Sequence, residues 1–431
     1  MPMPAGTGLN RRQFVLSSAG LLLSVYGAGR MLDPAAFEAG IANAAIVPGN
    51  RVIVSVYLQG GIDSMSVLCP TGDPLYGKYR QVLAVKEGAG PAFSEDPRLE
   101  WHPAAAPLAQ LHAEGKVSAL PTVGYADPNQ SHFTSRHYYE VGATDPNLLT
   151  GWLGRYLDVV GTPDNPLQGL CLDDSLQPSL ATAHVPVATV DLPSDYSFWA
   201  QGVWGPPQDL MYDAFGSLGE LGAHSGDPAL AQSGAAAVMS NTLRQQLVQF
   251  QPADGTTPTL PAGYPTASDQ FPARMAAIAQ MLAAGLPINA VTVTTDSVFD
   301  THEDQASSLA SGLGEAVQTL YAFQRDLEAR GLADRVLTLV WSEFGRRPQE
   351  NASGGTDHGA AGCGFVIGTH SAGRMIGEWQ GLAAGLDPLG NLVETVDFRS
   401  VYCSLLEQWL AQDASQIIPD ASTVPRVTVV K

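Results

Sequence analysis

The chain has 431 residues, with 42 acidic and 22 basic side chains and a formal net charge of −20. Its 45 % hydrophobic and 15 % charged content is ample for a large core and excludes an intrinsically disordered chain. A nucleic-acid partner is excluded too, because the net field repels a polyanion and no Lys/Arg run exceeds a pair.

The first predicted element is an address. Arg11-Arg12 is followed by an apolar stretch from Phe14 to Ala28, shorter than the about 20 residues of a membrane span. A positive segment before a short apolar one is the form of an export signal, and the arginine pair makes it the twin-arginine kind. Residues 1–45 are therefore expected to be signal and linker, the destination the periplasm or beyond, and any membrane contact that of an uncleaved signal. Small-residue cleavage sites lie between Ala28 and Ala45. This export route carries folded proteins, often loaded with a cofactor, which raises the expectation of a bound metal.

Residues 46–431 read as one domain. Arg51–Gln59 is β-branched and apolar and ends at Gly60-Gly61, the pattern of a buried strand meeting a tight turn. Val117–Val123, Ile288–Thr294, Val336–Trp341 and Gly364–Ile367 are similar runs. Helices are predicted over Ser131–Val141, over Phe271–Ala284 before Gly285, and over Glu303–Arg330. The last has Leu309, Leu313, Val317, Leu320 and Leu327 at three- and four-residue steps, with one seven-residue gap. Residues 161–265 are rich in Pro and Gly around one helix carrying Met239, Leu243, Leu247 and Phe250, and are read as a loop-rich insertion or cap. Strands alternating with helices imply an α/β fold with a mostly parallel central sheet covered on both faces. In such sheets functional groups gather at the carboxyl ends of the strands.

The polar clusters fall where that rule puts them. Asp63 follows the first strand, as a turn-satisfying carboxylate or a site group. Asp300 and His302 follow the strand at Ile288–Thr294, two residues apart and so on one side of an extended segment. Glu343 closes the strand at Val336–Trp341, where a charge needs Arg346 or a metal as its partner. Asp357-His358 sits in a glycine-rich loop before a further strand. Ser131 opens a helix, as an N-cap or as a nucleophile favoured by the helix N-terminus. No G-x-S-x-G is present, which sets aside the α/β-hydrolase serine elbow. Asp, Glu, His and Ser from four strand ends are the composition of a two-metal ester hydrolase. The cysteines, Cys69, Cys171, Cys363 and Cys403, include no C-x-x-C pair. They are buried thiols or a disulfide whose pairing spacing cannot give.

Arg11-Arg12, Leu58-Gln-Gly-Gly-Ile-Asp63, Ser131-His132-Phe133, Gly151-Trp-Leu-Gly-Arg155, Asp300-Thr-His302, Ser342-Glu-Phe-Gly-Arg346 and Gly355-Thr-Asp-His-Gly359 occur in this order. Together, over residues 50 to 410, they resemble the exported bacterial family known as domain of unknown function 1501. That family is similar in fold to the alkaline phosphatase-like superfamily, which includes sulfatases.

The resemblance implies a site. Asp63 matches the first metal-binding Asp and Ser131 the nucleophile. Asp300 and His302 match the middle pair, although the superfamily spaces that pair by four residues. Two registers are open for the late pair: Asp357-His358 by literal match, or Glu343 in the Asp position with His358 as the isolated final His. The second is preferred because a strand end is a physical constraint. The expectation is thus an exported hydrolase of phosphoric or sulfuric esters, small or polymeric. Its divalent ions, expected to be two, would be zinc, manganese, magnesium or calcium, held by Asp63, Asp300, His302, Glu343, Asp357 and His358. Ser131 attacks, His132 assists and Arg346 holds an oxygen of the transferred group. The alternative is a non-catalytic binding or assembly protein on the same fold. The formylglycine signature of sulfatases does not surround Ser131.

Overall fold

The computed structural model describes residues 25–26, 51–162, 165–196, 203, 205–251, 259–266 and 270–431. The expected signal and linker at residues 1–45 lie outside these, apart from Val25 and Tyr26. No helix among the described residues is long and apolar enough to cross a membrane.

The strands in chain order are β1 (Val25–Tyr26), β2 (Val52–Tyr57), β3 (Leu68–Cys69), β4 (Glu100–Trp101), β5 (Val117–Gly124), β6 (Gly169–Leu172), β7 (Val187–Thr189), β8 (Ala290–Thr294), β9 (Val336–Trp341), β10 (Arg346–Glu350), β11 (Thr356–His358), β12 (Gly362–Ile367) and β13 (Val396–Asp397). Nine form one sheet in the order β1-β7-β6-β8-β2-β9-β12-β5-β13. Within it β7, β6, β8, β2, β9, β5 and β13 run one way, and β1 and β12 the other. The expected mostly parallel sheet is the one observed.

Along β2 the side chains alternate between two apolar cores. Val52, Val54 and Val56 join Leu108, Ile278 and Leu313 on one face, and Ile53 and Tyr57 join Tyr139, Leu153 and Tyr402 on the other. Helices therefore cover both faces. The first core receives α1 (Ala106–Ala113), α6 (Phe271–Ala283) and α7 (Gln305–Ala329); the second receives α2 (His132–Val141), α3 (Trp152–Val160) and α8 (Phe398–Ser404). In α7 the gap between Leu320 and Leu327 is filled by buried Phe323.

The segment read as an insertion is only partly one. Its first stretch supplies β6 and β7 to the sheet, four and three residues that are too short to show a pattern. What remains is a helical hairpin, α4 (Pro206–Ala223) and α5 (Pro228–Leu247), where one helix was expected. Pro206-Pro207 and the glycines of α4 look like loop text, yet small residues are what bring the two helices together. A Cβ on Gly234 would lie 2.1 Å from the Ala223 nitrogen.

Register fixes where the chemistry sits. Tyr57 is paired with Thr294 on one side and Trp341 on the other, so β2, β8 and β9 end together. Val123 near the end of β5 is opposite Gly362 at the start of β12. Segments 58–63, 125–132, 295–302, 342–346 and 356–362 all leave the sheet at this one edge. The four cysteines are buried and unpaired.

Candidate metal centre at the strand ends

Asp300 is the hub. Its Oδ1 lies 3.2 Å from His358 Nε2 and 3.1 Å from His302 Nε2, and its Oδ2 lies 3.4 Å from His132 Nε2. The ligand atoms of His132, Asp300 and His358 all fall within 4.8 Å of one another, the one such group among the described residues. His302 stands beside them, with its Nε2 2.9 Å from His358 Nε2.

The rings are aimed by their far nitrogens. His132 Nδ1 is 2.7 Å from Glu343 Oε1, His358 Nδ1 is 2.8 Å from the Gln130 carbonyl, and His302 Nδ1 is 3.4 Å from Asp357 Oδ1. A ring that donates from Nδ1 to an oxygen keeps its Nε2 lone pair for a ligand, which is how metal-binding histidines are oriented. His132 Nε2 is buried and has no hydrogen-bond partner. A buried nitrogen with nothing to bond is costly unless something fills the space before it. The donor set, two imidazoles and a carboxylate with a third imidazole adjacent, fits a divalent ion that keeps an open position.

Charge is divided across the site. The hydrogen bond that His132 donates to Glu343 raises the pKa of His132 against the effect of burial. Burial, helped by the Arg346 charge, lowers that of His358. Burial alone would raise Asp300, but Arg346 outweighs it and holds the carboxyl at about 2.

Glu343 stands behind the site. Its carboxylate accepts from Gly60 N–H at 3.0 Å, Gly61 N–H at 3.0 Å and Ser342 Oγ at 3.0 Å in addition to His132. The strand-end charge thus has its partners in backbone amides and an imidazole, and it orients a ligand where the sequence suggested it would be one. Gly60, at φ +105°, is required here: a Cβ would lie 2.4 Å from the Asp300 nitrogen.

Asp63 is also elsewhere. It is fully buried, salt-bridged to Arg80 at 2.5 and 2.9 Å, and accepts from Ser66 Oγ and Gln305 Nε2. Both oxygens are committed, so the ligand role that the resemblance implies for it has no free atom. Arg346 differs from expectation in the same way. Its Nε donates to Gly61 O, its Nη1 to Thr356 O, and its Nη2 to Gly60 O, Phe299 O and Asp300. Four of its five N–H groups are taken by these oxygens, and the second on Nη1 faces His302 Nε2 at 3.4 Å; the guanidinium ties three loops together and fixes Asp300. Asp357 is on the outside, with its side chain 60 % exposed, and touches the site only through His302. Ser131 is the exposed N-cap residue of α2, and its side chain makes no capping bond. It lies between Gln130, whose carbonyl holds His358, and His132.

The structure therefore brings Asp300, His302, His358 and His132 into one cluster, with Glu343, Asp357 and Arg346 around it and Asp63 apart. Among the described residues one such cluster is found, where two metal sites were expected. The sequence understated His132, because a His after a helix cap gives no sign of which strand end it faces.

No curated protein matches the chain. Among solved structures it is similar to a protein of the alkaline phosphatase superfamily from Vibrio parahaemolyticus, at 10 % identity and TM-score 0.37, covering 97 % of this chain and 79 % of that one. It is also similar to a Pseudoalteromonas sulfatase, at 11 % identity and TM-score 0.34, covering 98 % and 78 %. A third is a protein of the Bacteroides thetaiotaomicron locus for metabolism of glycosaminoglycans, at 9 % identity and TM-score 0.39, covering 88 % and 75 %. The model of the family described as protein of unknown function (DUF1501) matches residues 219–405. That span contains Asp300, His302, Glu343, Arg346, Asp357 and His358 and leaves Asp63, Ser131 and His132 outside it. The family likeness thus covers 187 of the 431 residues.

Proposed function

We propose that the protein is an exported, metal-dependent hydrolase of phosphoric or sulfuric esters built on a single metal centre. The observation that carries this reading is the convergence of His132 Nε2, His358 Nε2 and Asp300, with each imidazole aimed by its own Nδ1 partner. A divalent ion held there supplies Lewis acidity to an ester oxygen and helps to activate an oxygen nucleophile.

The remaining work falls to side chains. Ser131, at the start of α2 between two residues tied to the cluster, is the nucleophile, and the helix N-terminus favours the anion it becomes. His302, half-exposed and beside Asp300, is placed to carry a proton to or from the reacting oxygen. Arg346 keeps Asp300 ionised and fixed. The twin-arginine segment delivers the folded chain to the periplasm or beyond.

A second reading, a non-catalytic binding or assembly protein, is favoured by one fact: Asp63 and Arg346, two groups expected to serve the reaction, are consumed by internal contacts. Elemental analysis of natively exported protein separates the two readings when run beside His132→Ala and His358→Ala and followed by assays on p-nitrophenyl phosphate and sulfate. About one divalent ion per chain, lost in both variants together with turnover, is expected. A folded wild type that carries no metal above background overturns the hydrolase. Bound metal without ester turnover leaves the binding protein.

A further inference from the structure

Two of the motifs that carry site residues also carry a threonine, Asp300-Thr301-His302 and Thr356-Asp357-His358, and neither hydroxyl touches the cluster. Both point to one atom. Thr301 Oγ1 donates to Gln305 Oε1 at 2.9 Å and Thr356 Oγ1 to the same oxygen at 2.6 Å. Gln305 is the first residue of α7 and is 1 % exposed. Its amide nitrogen faces the other way, donating to Asp63 Oδ2 at 2.5 Å and reaching Ser66 Oγ at 3.2 Å.

These bonds form a ladder from the protein interior to the site. The Arg80–Asp63 pair holds the amide nitrogen of Gln305. With its nitrogen so held, the amide can present only its oxygen to the threonines, since a carboxamide has one acceptor end and one donor end. The oxygen then holds two loops that are far apart in sequence, one bearing Asp300 and His302 and the other His358. A backbone bond from Thr356 N–H to Thr301 O, at 3.0 Å, joins the loops at the same point. The geometry points to Gln305 as a positioning residue: we infer that its amide, oriented by Asp63, sets the distance between His358 and the Asp300–His302 pair and so the affinity for metal. This also gives Asp63 a role that its burial denies it as a ligand.

The affinity part rests on the metal-centre reading; the clamp itself does not. Thr301→Val and Thr356→Val each remove one bond and leave Gln305 Oε1 with the other, so both variants are expected to fold. Ser66→Ala is the control, touching Gln305 and Asp63 but neither loop. Zinc affinity is read by chelator competition on the full chain. Hydrogen exchange of residues 299–303 and 355–359 is read on metal-free protein. Each threonine variant is expected to lose about tenfold or more in zinc affinity and to exchange faster in both segments, although only one segment carries the change. Ser66→Ala is expected to match wild type in both readouts. Threonine variants with wild-type exchange overturn the clamp, as does a Ser66→Ala variant that loses affinity equally. A wild type that binds no zinc overturns the metal reading alone, and the exchange data still decide the clamp.

Discussion

At the scale of single residues, two buried carboxylates show how differently a charge can be kept inside this protein. Glu343 is ionised because amide N–H groups, a hydroxyl and His132 surround it, and it works on the site through that imidazole. Asp63 is ionised because burial, which would raise its pKa, is outweighed by Arg80, and the net shift is below its usual 3.8. A carboxyl whose folded pKa is depressed contributes stability above the unfolded value and loses it as pH falls through the folded one. Asp63 should therefore stabilise the protein at neutral pH and down to about 4, with the loss falling below that. In Asp63→Asn the Arg80 charge is left buried without its partner, which costs about 3–5 kcal/mol at pH 7. The variant's stability should then decline less steeply below pH 4 than that of wild type. Urea unfolding between pH 7 and 3 checks both points; parallel curves would mean that Asp63 is not the group titrating.

At the scale of elements, the long apolar runs could be read from the sequence because a strand inside a sheet covered on both faces has room for only one kind of residue. β2, β5, β8, β9 and β12 were legible for that reason, and α7 for its period. β6 and β7 were not, because three or four residues carry no period, and the glycines of α4 read as breakers until a partner helix is seen against them. The site was legible in part: position at a strand end picked out Asp300, His302 and His358, but not which neighbouring carboxylates had been taken by Arg80 or by backbone amides. Helix α2 tests a related ambiguity at Ser131. A serine that caps a helix is worth about 1 kcal/mol over alanine, and here the side chain makes no such bond. Ser131→Ala should accordingly change unfolding free energy by less than about 0.5 kcal/mol while abolishing ester turnover. A stability loss of a full cap, with turnover intact, would return Ser131 to a structural role.

At the scale of the whole molecule, the sheet collects at one edge what the chain spreads over residues 60 to 360, and it does so by register: Tyr57, Thr294 and Trp341 end level. The surrounding charge works against the chemistry proposed there. A net charge of −20 repels an ester dianion on approach, and the arginine nearest the cluster is spent internally. If the site hydrolyses anionic esters, encounter proceeds against the field of the protein, and salt should help rather than hinder. Raising ionic strength from about 0.01 M to 0.15 M shortens the screening length from about 30 Å to about 8 Å, which removes most of the long-range repulsion and leaves the short-range attraction of a bound cation largely in place. kcat/KM for p-nitrophenyl phosphate is therefore expected to rise over that range, while a neutral ester of similar size should show no trend. A fall with salt would mean that a local positive funnel governs approach, and would direct attention to Arg347 beside Asp357 as its source.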